Sequence, residues 1–113
     1  MEPITIVKIG GDIIDDEAQQ QQFLRDFVQI PGKKILVHGG GKIASRIGES
    51  LGITPNVING RRITDAATLD LVTMVYGGLI NRKMVAALQH HGCNALGLTG
   101  ADVHAMVAAR RPV

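Results

Sequence analysis

Apolar residues form three dense runs along the chain, and each run ends in glycine. The runs are "ITIVKIG" at 4–10, "KKILVHG" at 33–39 and "NALGLTG" at 94–100. Their β-branched, apolar character is typical of strands in a parallel sheet, and the first run predicts a buried strand with one lysine inside it. We predict a short strand at Val57-Ile58, and "HAMVAAR" at 104–110 is a candidate for a further one.

Helical spacing separates these runs. Residues 16–30 predict a helix whose apolar stripe is Phe23, Leu24, Phe27 and Val28, following the acidic residues of "DDE". Residues 42–52 predict a shorter helix that stops at Gly52, and residues 65–91 predict a long one closed by Gly92. The alternation of strand and helix predicts an α/β domain with a mainly parallel sheet.

Two glycine clusters follow the first two strands, Gly10-Gly11 and 39–41. Ligands of α/β folds lie beyond the carboxyl ends of the strands, so both clusters are expected to flank one crevice. Backbone N–H groups at a helix start favour an anion. A Walker phosphate loop is excluded, because Ile43 follows Lys42 where Ser or Thr is needed. A dinucleotide site remains an alternative.

The dinucleotide alternative rests on the second cluster. Gly39, Gly41 and Ala44 match the looser glycine fingerprint, and the pair Arg61-Arg62 is suited to a 2′-phosphate. This pattern predicts an NADP-binding domain of a reductase. Against it, a dinucleotide fingerprint normally opens the first strand–helix unit, whereas this glycine triplet ends the second.

Lys8 is unusual, because it lies within an apolar strand just before Gly10. It either extends its ammonium to solvent from a sheet edge or carries it to an anionic partner. Beside two glycine clusters we favour the second interpretation, since a lysine there suits a transferring phosphoryl group. For His38 a hydrogen-bonded structural role is favoured over catalysis. Asp102 fits a structural turn as readily as a ligand.

Composition excludes several classes of protein. The 113 residues predict one domain, and the formal charge of +2 is too small to indicate nucleic-acid binding. Cys93 is the single cysteine, which excludes a disulfide framework or a cysteine metal cluster and favours the cytoplasm. No signal peptide and no run long enough to span a bilayer are apparent.

Four motifs together indicate a family. "VKIGG", "VHGGG", "NGRRIT" and "GLTGAD" occur in this order over essentially the whole chain, which closely resembles the acetylglutamate kinases of the amino acid kinase family. The resemblance implies a three-layer sandwich with a mainly parallel central sheet. It also implies transfer of the γ-phosphoryl group of ATP, with Mg²⁺ accompanying the nucleotide, to the side-chain carboxylate of N-acetyl-L-glutamate in arginine biosynthesis.

The resemblance also implies roles for single residues. Lys8 matches the lysine that stabilises the transition state, and Gly10 and Gly11 match the loop that meets the ATP phosphates. Gly40, Gly41 and Arg62 match substrate-binding positions, with Arg62 on a carboxylate of acetylglutamate. The triplet would then let substrate and phosphoryl group lie against bare backbone N–H groups. No metal ligand is expected in the chain itself.

Members of this family are much longer. We therefore expect residues 1–113 to correspond to an N-terminal, acetylglutamate-binding domain, with the nucleotide-binding half absent from this chain. We expect the 113-residue chain alone to be inactive.

The helix predicted at 65–91 is apolar nearly all the way round in its middle. An amphipathic surface helix would show one apolar stripe, so two faces are expected to be buried. Gly77 and Gly78 suggest that something approaches the backbone closely. We predict a homodimer in which this helix meets its symmetry mate, with Tyr76 and Leu79 near the centre, as the resemblance also implies. The alternative is another part of the same chain packed over this face.

Overall fold

A computed structural model describes residues 2–54 and 56–110 of the chain. It is a mixed α/β structure with a parallel sheet and helices. The elements, in order, are β1 (Ile4–Ile9), α1 (Gly11–Asp15), α2 (Glu17–Val28), β2 (Lys33–His38), α3 (Ile43–Ser50), β3 (Asn56–Ile58), β4 (Arg61–Ile63), α4 (Ala66–Val72), a π-helical segment (Thr73–Ile80), α5 (Asn81–His90) and a 3₁₀ turn (Asp102–His104).

The parallel sheet has two strands with different environments on its two faces. β1 pairs with β2 in a register that runs from Ile4 opposite Lys33 to Ile9 opposite His38. One face, which we call the covered face, carries Val7, Ile9, Lys34, Leu36 and His38, all half-buried or buried. The opposite face, the bare face, carries exposed residues: Ile4, Ile6, Lys8, Ile35 and Val37.

The prediction of a strand at 4–10 is confirmed, but the prediction that it is buried is right for one face only. A parallel strand is buried when helices cover both faces of its sheet. Among residues 2–54 and 56–110, helices pack on the covered face alone. Ile6 accordingly remains 66% exposed, whereas Ile9 is 3% exposed.

The core joins the covered face to the helices. It is a single cluster of buried side chains: Ile9, Ile14, Leu24, Phe27, Ala44, Leu71, Val75, Ile80, Met84 and Leu88. These residues come from the strand end, α1, α2, α3 and the helical stretch after β4, so burial of apolar area holds the glycine loops against one helical layer.

The helix predicted at 16–30 begins as expected, although a separate short helix, α1, precedes it. Asp16 has extended backbone angles (φ −115°, ψ 109°) and divides the two helices. Its carboxylate accepts from the Gln19 N–H at 3.1 Å, which caps α2. At the other end of α2, Lys34 of β2 donates to the carbonyls of Val28 (3.1 Å) and Ile30 (2.7 Å).

The helix predicted at 65–91 is observed from Ala66 to His90. It starts at Asp65, which accepts from the Thr68 N–H at 2.8 Å. Its middle, Thr73–Ile80, is π-helical, and the Asn81 N–H donates to the carbonyl of Tyr76, five residues earlier. The shorter helix predicted at 42–52 is confirmed as α3.

The predictions of strands at 94–100 and 104–110 are wrong. Residues 93–99 have no regular secondary structure, and 102–104 form the 3₁₀ turn. An apolar run becomes a strand only when a neighbouring strand supplies its hydrogen bonds, and no ladder forms there within the described residues. The predicted short strand at 57–58 is present, as one arm of the hairpin β3–β4. Asn59 (φ 52°) and Gly60 (φ 75°) make its tight turn.

Candidate functional site

The two glycine clusters meet at the carboxyl ends of β1 and β2. A Cβ atom on Gly11 would lie 3.0 Å from the Cα atom of Gly41, which is tighter than almost all real Cβ contacts. The two clusters therefore lie side by side, as the sequence predicts, and the ligand crevice that they were expected to flank stays a prediction. A side chain on Gly11 would push the two loops apart.

Two of the three glycines at 39–41, Gly40 and Gly41, are required by their neighbours in the same chain. A Cβ on Gly40 would overlap the ring of Tyr76, which comes from the π-helical segment. Gly41 has φ 55°, and a Cβ there would collide with the carboxylate of Asp15. Packing alone therefore explains Gly40 and Gly41, independently of any ligand.

Asp15 closes the start of α3. Both of its carboxylate oxygens accept from the Lys42 N–H, each at 3.1 Å. Lys42 is the N-cap position of α3, so a negative charge from α1 already lies at the positive end of this helix. The sequence predicts that backbone N–H groups at this helix start are open to an anion. The N–H of Lys42 is not, because it donates to Asp15.

His38 links the triplet to the long helix. Its Nδ1 lies 2.9 Å from the carbonyl oxygen of Gly39, and its Nε2 lies 3.1 Å from Nδ2 of Asn81. A carbonyl only accepts, so Nδ1 carries the proton and Nε2 accepts from the Asn81 amide. The prediction that His38 is hydrogen-bonded is confirmed, and its assignment to a structural rather than a catalytic role stays a prediction.

Lys8 lies on the bare face near the carboxyl end of β1. It pairs in register with Val37, and its side chain is exposed. Gly10, two residues further on, is the N-cap of α1. The ammonium is thus available to a ligand that approaches the bare face.

Arg62 lies on β4 and reaches α3. Its Nη2 donates to the Ser45 hydroxyl at 3.2 Å, which brings the guanidinium to the helix that follows the triplet. The two residues line a cavity of about 10 Å³ together with Gly48, Ile53, Thr68 and Leu71. That volume holds about one water molecule, so this cavity does not accommodate an amino acid derivative.

The hydroxyl of Thr68 adds a polar atom to this cavity. It is buried and has no hydrogen-bond partner among the described residues.

The glycines of the π-helical segment differ from each other. A Cβ on Gly77 would lie 3.1 Å from Cγ2 of Thr99, whereas Gly78 has open space around it. Of the close approach predicted at Gly77 and Gly78, the part at Gly77 is observed and comes from Thr99 of the same chain, whereas nothing among the described residues lies close to Gly78. Leu69 and Met74, each 55% exposed, and Leu79, 36% exposed, are apolar side chains of this helix that the described residues do not bury.

Asp102 acts as a turn residue. The Thr99 backbone N–H donates to its carboxylate at 2.6 Å and the Thr99 hydroxyl at 2.9 Å. These two bonds, assisted by the charge of Arg82, hold the pKa of Asp102 below its usual value.

Within the part of the chain that the structure describes, no group of three His, Cys, Asp or Glu side chains lies close enough together to hold a metal ion. None of the helices in residues 2–54 and 56–110 has both the length and the hydropathy to cross a membrane.

Comparison with known proteins assigns the family. The profile of the amino acid kinase family matches residues 3–111. The chain belongs to the amino acid kinase family. This assignment gives no support to the alternative of an NADP-binding reductase domain.

Curated relatives within the amino acid kinase family are named acetylglutamate kinase. The protein of Bacteroides fragilis is 55% identical over 112 residues, which cover 99% of this chain and 43% of the relative. That of Cytophaga hutchinsonii is 54% identical over 113 residues, covering 100% of this chain and 43% of the relative. That of Methanopyrus kandleri is 39% identical over 106 residues, covering 94% and 40%. The resemblance to acetylglutamate kinases is confirmed, and the chain spans less than half the length of these relatives.

A solved structure shows the same fold. The crystal structure of smu.665 from Streptococcus mutans UA159 matches with a TM-score of 0.58 and 24% identity, covering 79% of this chain and 37% of that one. At this identity the likeness extends to the fold alone.

Proposed function

We propose that this chain is the N-terminal, acetylglutamate-binding domain of an acetylglutamate kinase. The complete enzyme transfers the γ-phosphoryl group of ATP to the side-chain carboxylate of N-acetyl-L-glutamate, for arginine biosynthesis. The observation that carries the proposal is the contact between Gly11 and Gly41, because it joins two glycine loops where a phosphoryl donor and an acyl acceptor must meet.

The proposed reaction is a direct phosphoryl transfer. A carboxylate oxygen of acetylglutamate attacks the γ-phosphorus, the bond to the β-phosphate oxygen breaks, and ADP leaves as the acyl phosphate forms. Positioning and neutralisation of charge do most of the catalysis in such reactions. The site needs cations and backbone donors rather than a protein nucleophile.

The residues have separate proposed roles. Lys8 stabilises negative charge on the transferring phosphoryl group, and Gly10 and Gly11 let the ATP phosphates approach the main chain. The backbone of Gly40 and Gly41 binds the acyl substrate. Arg62 binds a carboxylate of acetylglutamate, in keeping with its exposed guanidinium and its hydrogen bond to Ser45.

ATP and Mg²⁺ belong to this proposal as the co-substrate and its metal. The cytoplasm is the proposed compartment, since it supplies ATP and keeps a lone cysteine such as Cys93 reduced.

The complete protein is proposed to be a three-layer sandwich. The bare face offers four exposed apolar side chains, Ile4, Ile6, Ile35 and Val37, which a second helical layer would bury. We propose that this layer and most of the nucleotide site belong to a C-terminal half beyond residues 1–113. A ligand on Lys8 would then lie between the two halves.

We also propose a homodimer through the long helix at 65–91. Leu69, Met74 and Leu79 of this helix remain exposed among the described residues. Tyr76 packs on Gly40 within the chain, so we place the contact centre at Leu79 rather than at Tyr76. In a complete enzyme, Leu79→Glu should give monomers by light scattering, and Glu49→Gln on α3 should leave the dimer unchanged. A monomeric unmutated enzyme at micromolar concentration would contradict the dimer.

The test of activity compares the chain alone with a complete kinase. The complete kinase is a chimera in which residues 1–113 replace the matching N-terminal segment of the Bacteroides fragilis relative. The acyl phosphate product is trapped with hydroxylamine. We expect ATP-dependent product from the complete kinase and none from the 113-residue chain. A complete kinase without activity towards acetylglutamate would refute the proposed substrate.

Ligand binding separates the two function classes on the chain itself. Acetylglutamate should raise the melting temperature of the 113-residue chain slightly, and NADPH should not. If NADPH alone raised the melting temperature, the result would contradict the proposed function and favour the reductase interpretation.

A further inference from the structure

We propose that Asn81 is a positioning residue which, through His38, fixes the peptide group between Gly39 and Gly40. This inference rests on the proposed function, in which the backbone of Gly40 binds the acyl substrate. It assigns a task to two side chains that do not touch the substrate themselves.

The argument begins with the peptide plane. The carbonyl of Gly39 and the N–H of Gly40 belong to one planar unit and point in opposite directions. Whatever holds the carbonyl therefore aims the N–H. Glycine has little intrinsic preference, so a Gly-Gly peptide turns over easily unless a hydrogen bond holds it. The bond from His38 Nδ1 to the Gly39 carbonyl, at 2.9 Å, provides that hold.

The bond from His38 depends on its tautomer. Nδ1 can donate only when it carries the proton, and a neutral ring has one proton for two nitrogens. Nε2 must then accept, and Asn81 supplies the donor from Nδ2 at 3.1 Å. Asn81 thereby favours the tautomer that holds the Gly39 carbonyl.

The amide of Asn81 is itself oriented. Its Oδ1 accepts from Nη1 of Arg82 at 3.0 Å, and its Nδ2 also lies 3.4 Å from the carbonyl of Leu98. Arg82 Nη1 reaches the carbonyl of Gly97 at 3.3 Å as well. Turning the amide over would place its NH₂ group against the guanidinium, so the cation keeps Nδ2 directed at His38.

The π-helical segment positions both Tyr76 and Asn81 at the loop formed by residues 39–41. Tyr76 and Asn81 are five residues apart and joined by a backbone hydrogen bond. In an α-helix residues five apart diverge by about 140°, because each turn takes 3.6 residues. The wider π turn narrows that divergence. Tyr76 therefore packs on Gly40 while Asn81 bonds to His38, and both act on the same loop.

The first test reads the tautomer by ¹⁵N NMR of the 113-residue chain. We expect the His38 proton on Nδ1, with Nε2 lacking a directly bonded proton, at neutral pH. In Asn81→Leu the preference should be lost, and the Gly40 amide resonance should shift. A proton on Nε2 in the unmutated chain, or an unchanged tautomer in Asn81→Leu, would overturn the proposal. This measurement needs no enzymatic activity.

The second test uses two replacements of His38 in the complete kinase. His38→Asn places an amide donor where Nδ1 was and keeps the bond to Gly39. His38→Gln places its amide nearer to Nε2 and loses that bond. We expect His38→Asn to retain about tenfold more kcat/KM for acetylglutamate than His38→Gln, the value of one neutral hydrogen bond. The KM for ATP should not separate them.

Matched controls are His90→Asn and His90→Gln, at an exposed histidine in the last turn of α5. Both should have unmutated kinetics. Equal loss in the two His38 variants would indicate a packing role alone and overturn the proposal. If the unmutated complete kinase is inactive, the proposed function fails, and the NMR result still decides the role of Asn81. If the kinase is active and the NMR prediction fails, this inference alone is wrong.

Discussion

The two faces of the β1–β2 sheet carry similar side chains in different surroundings. On the covered face, Ile9 is 3% exposed and belongs to a core of helices. On the bare face, Ile6 is 66% exposed although it is equally apolar and three residues away. The apolar pattern thus indicates which side chains of a strand can be buried. Whether they are buried depends on whether a neighbouring layer covers that face of the sheet.

The two strand lysines show the same contrast. Lys34, on the covered face, donates to two carbonyls at the end of α2 and lies 5.2 Å from the ring centre of Phe27. Lys8, on the bare face, is exposed. Lys34 stabilises the fold through its hydrogen bonds, whereas the exposed ammonium of Lys8 is available to bind a substrate.

The largest expected effect separates these lysines. In a complete kinase, Lys8→Ala should lower kcat by about 10²- to 10³-fold, the loss typical of a group that stabilises transition-state charge, with little change in KM. Lys8→Arg should also be poor, since a planar fork does not replace a compact ammonium. Lys34→Met is the control, with a lower melting temperature and unchanged kcat. An unaltered kcat in Lys8→Ala would reduce Lys8 to a surface residue.

The next effect tests the two faces directly by urea unfolding. Ile9→Ala should cost the 113-residue chain about 2–4 kcal/mol of unfolding free energy, because it leaves a cavity in the core. Ile6→Ala should change it by less than about 0.5 kcal/mol, because this side chain is already exposed.

The complete kinase provides the sharper half of that comparison. If a third layer covers the bare face there, Ile6→Ala should also cost about 2 kcal/mol or more. An equally small effect of Ile6→Ala in both proteins would contradict the three-layer architecture.

The helices were predictable because their signals are local. Periodicity and caps lie within a few residues of one another, as Asp65 and Thr68 show. The strand predicted at 94–100 failed because pairing is not local: the same apolar run is a strand or an irregular segment depending on whether a neighbour supplies hydrogen bonds.

The candidate site also has parts that could be predicted from local sequence and parts that could not. The glycine clusters and their meeting follow from sequence position. Asp15, which bonds to Lys42 across 27 residues, and Asn81, which bonds to His38 across 43, have no counterpart in local spacing. The apolar pattern predicts Tyr76 for a dimer interface, whereas its ring lies against Gly40. The π-helical turn that directs the ring there has no signature in the apolar pattern.

A third effect concerns substrate binding by Arg62, which lies on β4 and is hydrogen-bonded to Ser45 of α3. Arg62→Ala should raise the KM for acetylglutamate by about 10- to 100-fold with a nearly constant kcat, because a carboxylate clamp binds substrate and transition state alike. Ser45→Ala, which removes only the hydroxyl that holds the guanidinium, should raise KM less. A change confined to kcat would contradict the clamp.

A fourth effect concerns the contact between the glycine loops. Asp15→Ala should lower the unfolding free energy by about 1 kcal/mol, since α3 loses its cap. Asp15→Asn should cost less, because an amide oxygen still accepts from Lys42 but lacks the charge that favours a helix start. Glu17→Gln, in the first turn of α2, is the control for a general effect of removing one negative charge. Equal stability of Asp15→Ala and the unmutated chain in urea would show that this cap is not needed.

The smallest expected effect concerns Asp102, in the segment that joins neither face of the sheet. Hydrogen bonds from Thr99 lower its pKa below the usual 3.8. A carboxyl with a lowered folded-state pKa adds stability that is full above the unfolded pKa and is lost as pH falls through the folded value. The difference in melting temperature between the unmutated chain and Asp102→Asn should therefore be largest near neutral pH and shrink below about pH 4. Asp70→Asn, at an exposed position on α4, serves as the reference for loss of one carboxylate. A difference that stays constant from neutral pH to about pH 2 would show that the Thr99 bonds do not stabilise the charged form.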